Sequence, residues 1–235
     1  SGKTPDGEYK LAQLVRANMA LYDYTTVFGV PCISGKDSMK NDYLIGDTKI
    51  SIPPTVLFSV VSVIEDVRRC VTMDAKRSGD RIYIVGETFP ETGASEYFAH
   101  HGFIGNQVPT VNAPRAKALY EALGRAMARG IVASCHDCSD GGLGVALAET
   151  AFSGALGMEV DLRQVPASGV ERNDVLLFSE SPSRFVVTVH PENQAAFEEC
   201  LRGKVFAAIG RVVAGNHFTV LGLKGKAVVQ ADIWQ

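Results

Sequence analysis

The chain has 235 residues, 46% hydrophobic and 21% charged, proportions that support a sizeable buried core and one large domain or slightly more. Its formal net charge is −3, with 23 basic and 26 acidic residues mixed along its length, so it shows neither the basic stripe of a nucleic-acid binder nor an acidic tail. No apolar run reaches the roughly eighteen residues that a membrane span needs, because the longest candidate, residues 54–64, is interrupted by Thr55, Ser59 and Ser62. Small molecules and proteins are therefore the expected partners, with no nucleic acid and no membrane.

Ser1-Gly2-Lys3-Thr4-Pro5 has no apolar stretch behind it, so a secretory leader is not expected, and a start without Met fits a piece of a longer chain. Leu11, Leu14, Val15, Met19, Leu21 and Tyr22 recur at three- and four-residue steps and predict a helix over 9–27, ended by Gly29. Residues 30–33 read as a short strand running into the polar loop Ser34-Gly35-Lys36-Asp37-Ser38-Met39. Residues 49–52 and 55–64 read as strands, the second rich enough in Val and Ile to be buried on both faces.

The charged break Glu65-Asp66-Val67-Arg68-Arg69 marks a boundary between a partial N-terminal domain, 1–68, and a C-terminal domain, 69–235. Beyond it, 81–86 is a buried strand and 88–109 a long loop. Good helix formers and an early Pro114 predict a helix over 114–129, stopped by Gly130. Residues 131–136 form a strand that enters Asp137-Cys138-Ser139-Asp140-Gly141-Gly142, and 143–152 resumes helical spacing. The remainder alternates: strand 158–162, a helical turn at 174–178, strand 184–189, helix 191–201, and strands 206–213, 218–223 and 227–232. This interleaving predicts an α/β or α+β fold, a mixed sheet packed with helices, preceded by the partial N-terminal α/β domain.

Two polar clusters carry chemistry. A strand end feeding a helix at 137–142 gathers backbone N–H groups and the positive end of a helix dipole, which suits phosphate, and glycines allow close approach. Its aspartates are hard oxygen ligands of the kind that hold Mg²⁺. The plainer reading makes Asp140 an N-cap and the glycines turn residues. Gly35-Lys36-Asp37-Ser38 offers a phosphate-binding cation, a metal ligand or base, and a hydroxyl; its plainer reading is a solvated turn.

Three further features read as structural. Glu180 and Arg184 read as a surface pair, and His100 and His101 as exposed loop residues. Cys135 and Cys138 form a C-x-x-C, but no second pair at ligand spacing follows, so they read as small residues flanking a functional Asp. The five cysteines, Cys32, Cys70, Cys135, Cys138 and Cys200, are odd in number and suit a reducing cytoplasm.

Five motifs occur in one order: Gly29-Val30-Pro31-Cys32-Ile33-Ser34-Gly35-Lys36-Asp37-Ser38-Met39-Lys40-Asn41, Ile52-Pro53-Pro54-Thr55, Gly93-Ala94-Ser95-Glu96-Tyr97, His136-Asp137-Cys138-Ser139-Asp140-Gly141-Gly142-Leu143 and Ser179-Glu180-Ser181-Pro182-Ser183-Arg184-Phe185. Together they resemble the second half of phosphoribosylformylglycinamidine synthase over nearly the whole chain. That family shares a superfamily with aminoimidazole ribonucleotide synthetase, thiamine-monophosphate kinase, selenophosphate synthetase and an ATP-using hydrogenase-maturation protein.

The resemblance implies an ATP-dependent ligase of purine biosynthesis. It converts formylglycinamide ribonucleotide to the amidine with ammonia from a glutaminase domain or subunit. ATP or ADP and Mg²⁺ are the implied cofactors, and the missing N-terminal half of the synthetase the implied partner. No catalytic residue is carried over, because the family's catalytic histidine lies in that half, and the piece alone is expected to be inactive. Gly35 and Ser38 match a Gly-Asn-x-Ser loop of shorter members, which implies nucleotide contact for Gly35 and substrate contact for Ser38. Lys36 stands where the Asn would be and cannot ligate a metal while charged, so Lys36 on a phosphate and Asp37 on the metal are the substitutes. Asp137 matches a magnesium ligand and Ser139 a phosphate contact of a tightly held nucleotide in long members, with Gly141 and Gly142 beside them. The two clusters are expected to converge on one polyphosphate between the lobes. Alternatives are a non-catalytic nucleotide-binding scaffold half of that enzyme and another ATP-dependent member such as a small-molecule kinase. Strand 55–64 and the helix before it are expected to lack their covering strands, so that the piece self-associates or is disordered near its start.

Overall fold

The structure, a computed structural model, describes residues 7–36 and 42–235, and the chain divides into two units, Ser1–Glu65 and Asp66–Gln235. In the first unit, helix α1 (Gly7–Phe28) matches the predicted span and ends where Gly29 turns left-handed at φ 71°. Strands β1 (Asp42–Ile45) and β2 (Thr48–Ser51) pair antiparallel, pinned by Asp42, which takes Lys49 at 2.8 Å and the Ser51 hydroxyl at 2.7 Å. The expected strands over 30–33 and 55–64 are absent. A strand exists only with a hydrogen-bonded neighbour, and the Val and Ile content of 55–64 supplies propensity without one. Its side chains stand in water, Leu57, Val61 and Val63 being close to 90% exposed, and Gly7 alone is buried among the described residues of this unit.

The second unit follows in the order β3 (Arg81–Val85), α2 (Glu96–His100), α3 (Ala113–Ala128), β4 (Ser134–Asp137), α4 (Gly142–Ser153), β5 (Gly157–Asp161), α5 (Asn173–Phe178), β6 (Phe185–Val189), α6 (Gln194–Cys200), β7 (Phe206–Val213), β8 (His217–Leu221) and β9 (Ala227–Asp232). Its strands form one mixed sheet in the order β4-β6-β3-β7-β5-β8-β9, with β5 and β8 parallel and every other pair antiparallel.

Strand alternation divides the core into two layers. Ile82, Ile84 and Val186 face one side, where Leu143, Ala146, Leu147 and Ala151 of α4 and Leu176 and Leu177 of α5 cover them. Tyr83, Val85, Val187 and Val189 face the other, against Leu119, Ala122, Leu123 and Ala126 of α3 and Phe197 of α6. The mixed sheet packed with helices is the fold class expected from the sequence. α3 starts where Asn112 accepts from the Arg115 amide at 3.1 Å, a side-chain N-cap with Pro114 in the first turn.

The long loop 88–109 has structure of its own. Ser95 caps α2, accepting from the Phe98 amide at 3.2 Å, and Tyr97 stacks on Phe178 with ring centroids 5.0 Å apart. His100 and His101 are exposed, His100 in the last turn of α2 and His101 as its C-cap.

Candidate functional site

Strand β4 lies at one border of the sheet and delivers Asp137 at its end; residues 138–141 turn, and α4 begins. The neighbouring strand β6 runs antiparallel with Asp137 opposite Phe185, and the Cys138 amide donates to the Arg184 carbonyl at 2.9 Å. Register alone therefore brings the 137–140 turn against the 180–184 segment. Between them lies a groove of about 330 Å³, with Asp137, Ser139 and Asp140 on one wall, Glu180, Ser183 and Arg184 on the other, and Tyr120 and Pro109 at its margin. The Tyr120 and Ser183 hydroxyls meet at 2.8 Å, and Ser183 holds φ 60°, a left-handed conformation uncommon outside glycine.

The groove is acidic. Asp137 is largely exposed, and the Ser139 hydroxyl donating to its Oδ2 holds its carboxyl below the ordinary carboxylate value. Its other oxygen lies 3.4 Å from His136 Nδ1, while His136 Nε2 sits 2.7 Å from Glu149 of α4. Arg184 does not form the surface pair with Glu180 expected from the sequence. Arg184 is buried and spends its donors inward, Nε to the Ser181 carbonyl at 2.8 Å, Nη1 to Thr88 Oγ1 at 3.0 Å and Nη2 to the Ser179 carbonyl. Burial pulls its guanidinium below the ordinary value, and the carboxylates of Glu91 and Glu180 push the other way.

Glu180 instead reaches the α4 start, accepting from the Gly141 amide at 2.9 Å. Asp140 is therefore not the N-cap; Gly141 is, with φ 76° and no side chain with which to cap the helix. The two glycines, read from sequence as openings for a ligand, have a different reason. At Gly142, φ is 65° and a Cβ would stand 2.2 Å from the Ser179 carbonyl oxygen, so the space is filled by the protein's own backbone. At Gly141 a Cβ would strike Val145 at 2.3 Å.

Burial raises the Cys135 thiol to about 12 and the Cys138 thiol to about 11. Both are protonated at neutral pH, which disfavours the thiolate that metal ligation or disulfide exchange requires. Among the described residues no group of three or more His, Cys, Asp or Glu is placed to hold a metal ion. Gly35 and Lys36 close the first described stretch, exposed and without regular structure; Asp37 and Ser38 lie outside the described residues. Sequence reasoning missed the true roles of Glu180 and Arg184. The available signal was an arginine directly before the run Phe185-Val186-Val187-Thr188-Val189, where the following strand is buried.

A mixed sheet sandwiched by helices, with a polar groove at the end of its border strand, defines an α/β domain. Residues 77–222 match the family described as AIR synthase related protein, C-terminal domain, and the chain belongs to that family. Curated relatives include the phosphoribosylformylglycinamidine synthase subunit PurL of Moorella thermoacetica, 37% identical over 210 residues, 88% of this chain and 27% of the relative. The PurL subunit of Methanocaldococcus jannaschii is 34% identical over 97% of this chain and 31% of its own. The chain thus spans less than a third of the length of these relatives. Among solved structures, Thermotoga maritima PurL complexed with FGAR superposes with a TM-score of 0.63 at 23% identity, covering 72% of this chain and 29% of that one. The same protein complexed with ADP gives 0.59 at 24% identity, with 72% and 27% covered. At that identity the structural likeness speaks for the fold.

Proposed function

We propose that this chain is the C-terminal part of the synthetase of phosphoribosylformylglycinamidine synthase, the ligase that converts formylglycinamide ribonucleotide, ATP and glutamine-derived ammonia to formylglycinamidine ribonucleotide. The observation that carries the reading is 34–37% identity to subunits of that name over 88–99% of this chain. A chain covering only 27–31% of those relatives would act as a contributor to sites that the rest of the protein completes. The piece alone would be inactive.

The groove suits one such contribution. Asp137 presents a carboxylate that stays ionised well below neutral pH, with the Ser139 hydroxyl donating to it. In this reading Asp137 supplies one oxygen to a magnesium ion whose remaining donors come from elsewhere in the protein, and the Ser139 hydroxyl, released from Asp137 when the metal takes its place, donates to a nucleotide phosphate. Bound magnesium would neutralise charge on the phosphates. Gly141 and Gly142 shape the turn, and Gly35, Lys36, Asp37 and Ser38 would bring nucleotide, metal and substrate contacts from the first unit. In the whole enzyme, ATP activates the amide oxygen of formylglycinamide ribonucleotide as a leaving group and ammonia replaces it. A glutaminase partner supplies that ammonia; a Thermotoga maritima PurLQS assembly is among the structural neighbours. Five free cysteines agree with a reducing cytoplasm, and among the described residues no helix is long and apolar enough to cross a membrane.

The test is ATP hydrolysis by the full-length protein that carries this chain. Phosphate release should require both formylglycinamide ribonucleotide and an ammonia source. Release that proceeds equally without the ribonucleotide, or that depends on a different phosphate acceptor, rules the reading out.

A further inference from the structure

We infer that Glu180 is a positioning residue for the nucleotide-binding turn, acting through the first amides of two helices. The inference rests on the reading of Asp137 and Ser139 as nucleotide contacts. A single oxygen, Glu180 Oε1, accepts from the Gly141 amide at 2.9 Å and from the Glu96 amide at 2.9 Å. Gly141 is the N-cap of α4 and Glu96 the first residue of α2. These are amides that a helix leaves without an internal acceptor, and one carboxylate satisfies one from each helix. Glu180 is itself held, its amide donating to the Glu91 carbonyl at 3.1 Å.

The chain of contacts reaches the groove directly. With Gly141 fixed, the Gly142 amide donates to the Ser139 carbonyl at 2.9 Å, and the Ser139 hydroxyl donates to Asp137. The Cys138 amide is tied to the Arg184 carbonyl on the same 180–184 segment. The carboxylate also stands where a helix N-terminus would otherwise attract an anion. A nucleotide phosphate in this groove is therefore kept off the Gly141 amide.

Because both hydrogen bonds end on one oxygen, geometry and charge separate cleanly. Glu180→Gln keeps an acceptor oxygen at full reach and removes the charge; Glu180→Asp keeps the charge and withdraws the oxygen by one methylene. The experiment measures the Kd of ADP with Mg²⁺ for the full-length protein carrying Glu180→Gln, Glu180→Asp, Glu180→Ala and Asp137→Asn, with the melting temperature of each ligand-free protein beside it. Glu180→Gln is expected to bind within about twofold of the unsubstituted protein, and the Asp and Ala variants about tenfold more weakly, the loss typical of a group that orients a binding residue. If Glu180→Ala does not fold, the Asp variant decides. Two outcomes overturn the inference: Asp and Ala variants that melt earlier yet bind ADP with the original Kd, or a Gln variant as weak as the Asp variant. An Asp137→Asn protein that binds ADP unchanged overturns instead the underlying reading of the groove.

Discussion

The most informative single residue is Asp137, an exposed carboxylate held ionised by its neighbour two positions on. Its lowered value comes first from the Ser139 hydroxyl, so Ser139→Ala should raise the Asp137 carboxyl toward the ordinary value, which a carbon-detected NMR titration of the side chain will read. The sign for stability follows. A carboxyl depressed in the folded protein contributes stability above its unfolded value and loses it as pH falls through its folded value. In the Ala variant that loss should be smaller and complete at higher pH, its onset being set by the unfolded chain, and even in the unsubstituted protein it should be small, because the group is largely solvated. At this scale the motif itself was legible, since Asp137, Ser139 and the glycine pair stand together between a strand and a helix. Glu180 and Arg184 were not, because Glu96, Gly141 and Thr88 are distant in sequence and the nearer partners of Arg184, the Ser179 and Ser181 carbonyls, are backbone atoms that no side-chain pattern announces.

Among the elements, α4 has the most demanding start. Its first residue, Gly142, is left-handed at φ 65° with the Ser179 carbonyl oxygen 2.2 Å from where a Cβ would be. Gly142→Ala should destabilise the fold by about 2 kcal/mol or more, from the backbone penalty and the forced displacement of residues 177–179 together, measured as a shift in the urea midpoint at unchanged slope. Elements carrying their own signals were read closely: β7 and β9 occupy the expected spans, 206–213 and 227–232, and α3 starts beside the early Pro114. Residues 55–64 failed because strand propensity describes fitness for a sheet and cannot supply the sheet. The same lesson applies to residues 30–33, whose Val30, Cys32 and Ile33 suit a strand but find no ladder.

At the scale of the whole molecule, the two units differ in kind. The second owns a two-layer core, whereas the first leaves Leu57, Val61 and Val63 of its last segment, and Tyr9, Met19 and Tyr22 of α1, in water. Leaving a large apolar side chain exposed forgoes about 1.5–3 kcal/mol each, a strong drive toward association. In isolation the 235-residue chain should therefore self-associate in light scattering and bind a hydrophobic dye. A chain beginning at Asp66 should stay monomeric and unfold cooperatively. A monodisperse, dye-silent 235-residue chain would show that those side chains are covered by other means.

The border position of β4 has a mechanical meaning. A strand with one ladder partner in the sheet can open without unzipping the five strands between the two borders, so its amides should exchange with solvent through shallow local openings while β7, at the centre, waits for global unfolding. The groove is thus mounted on a border rib of the frame, where a local rearrangement costs the other strands little.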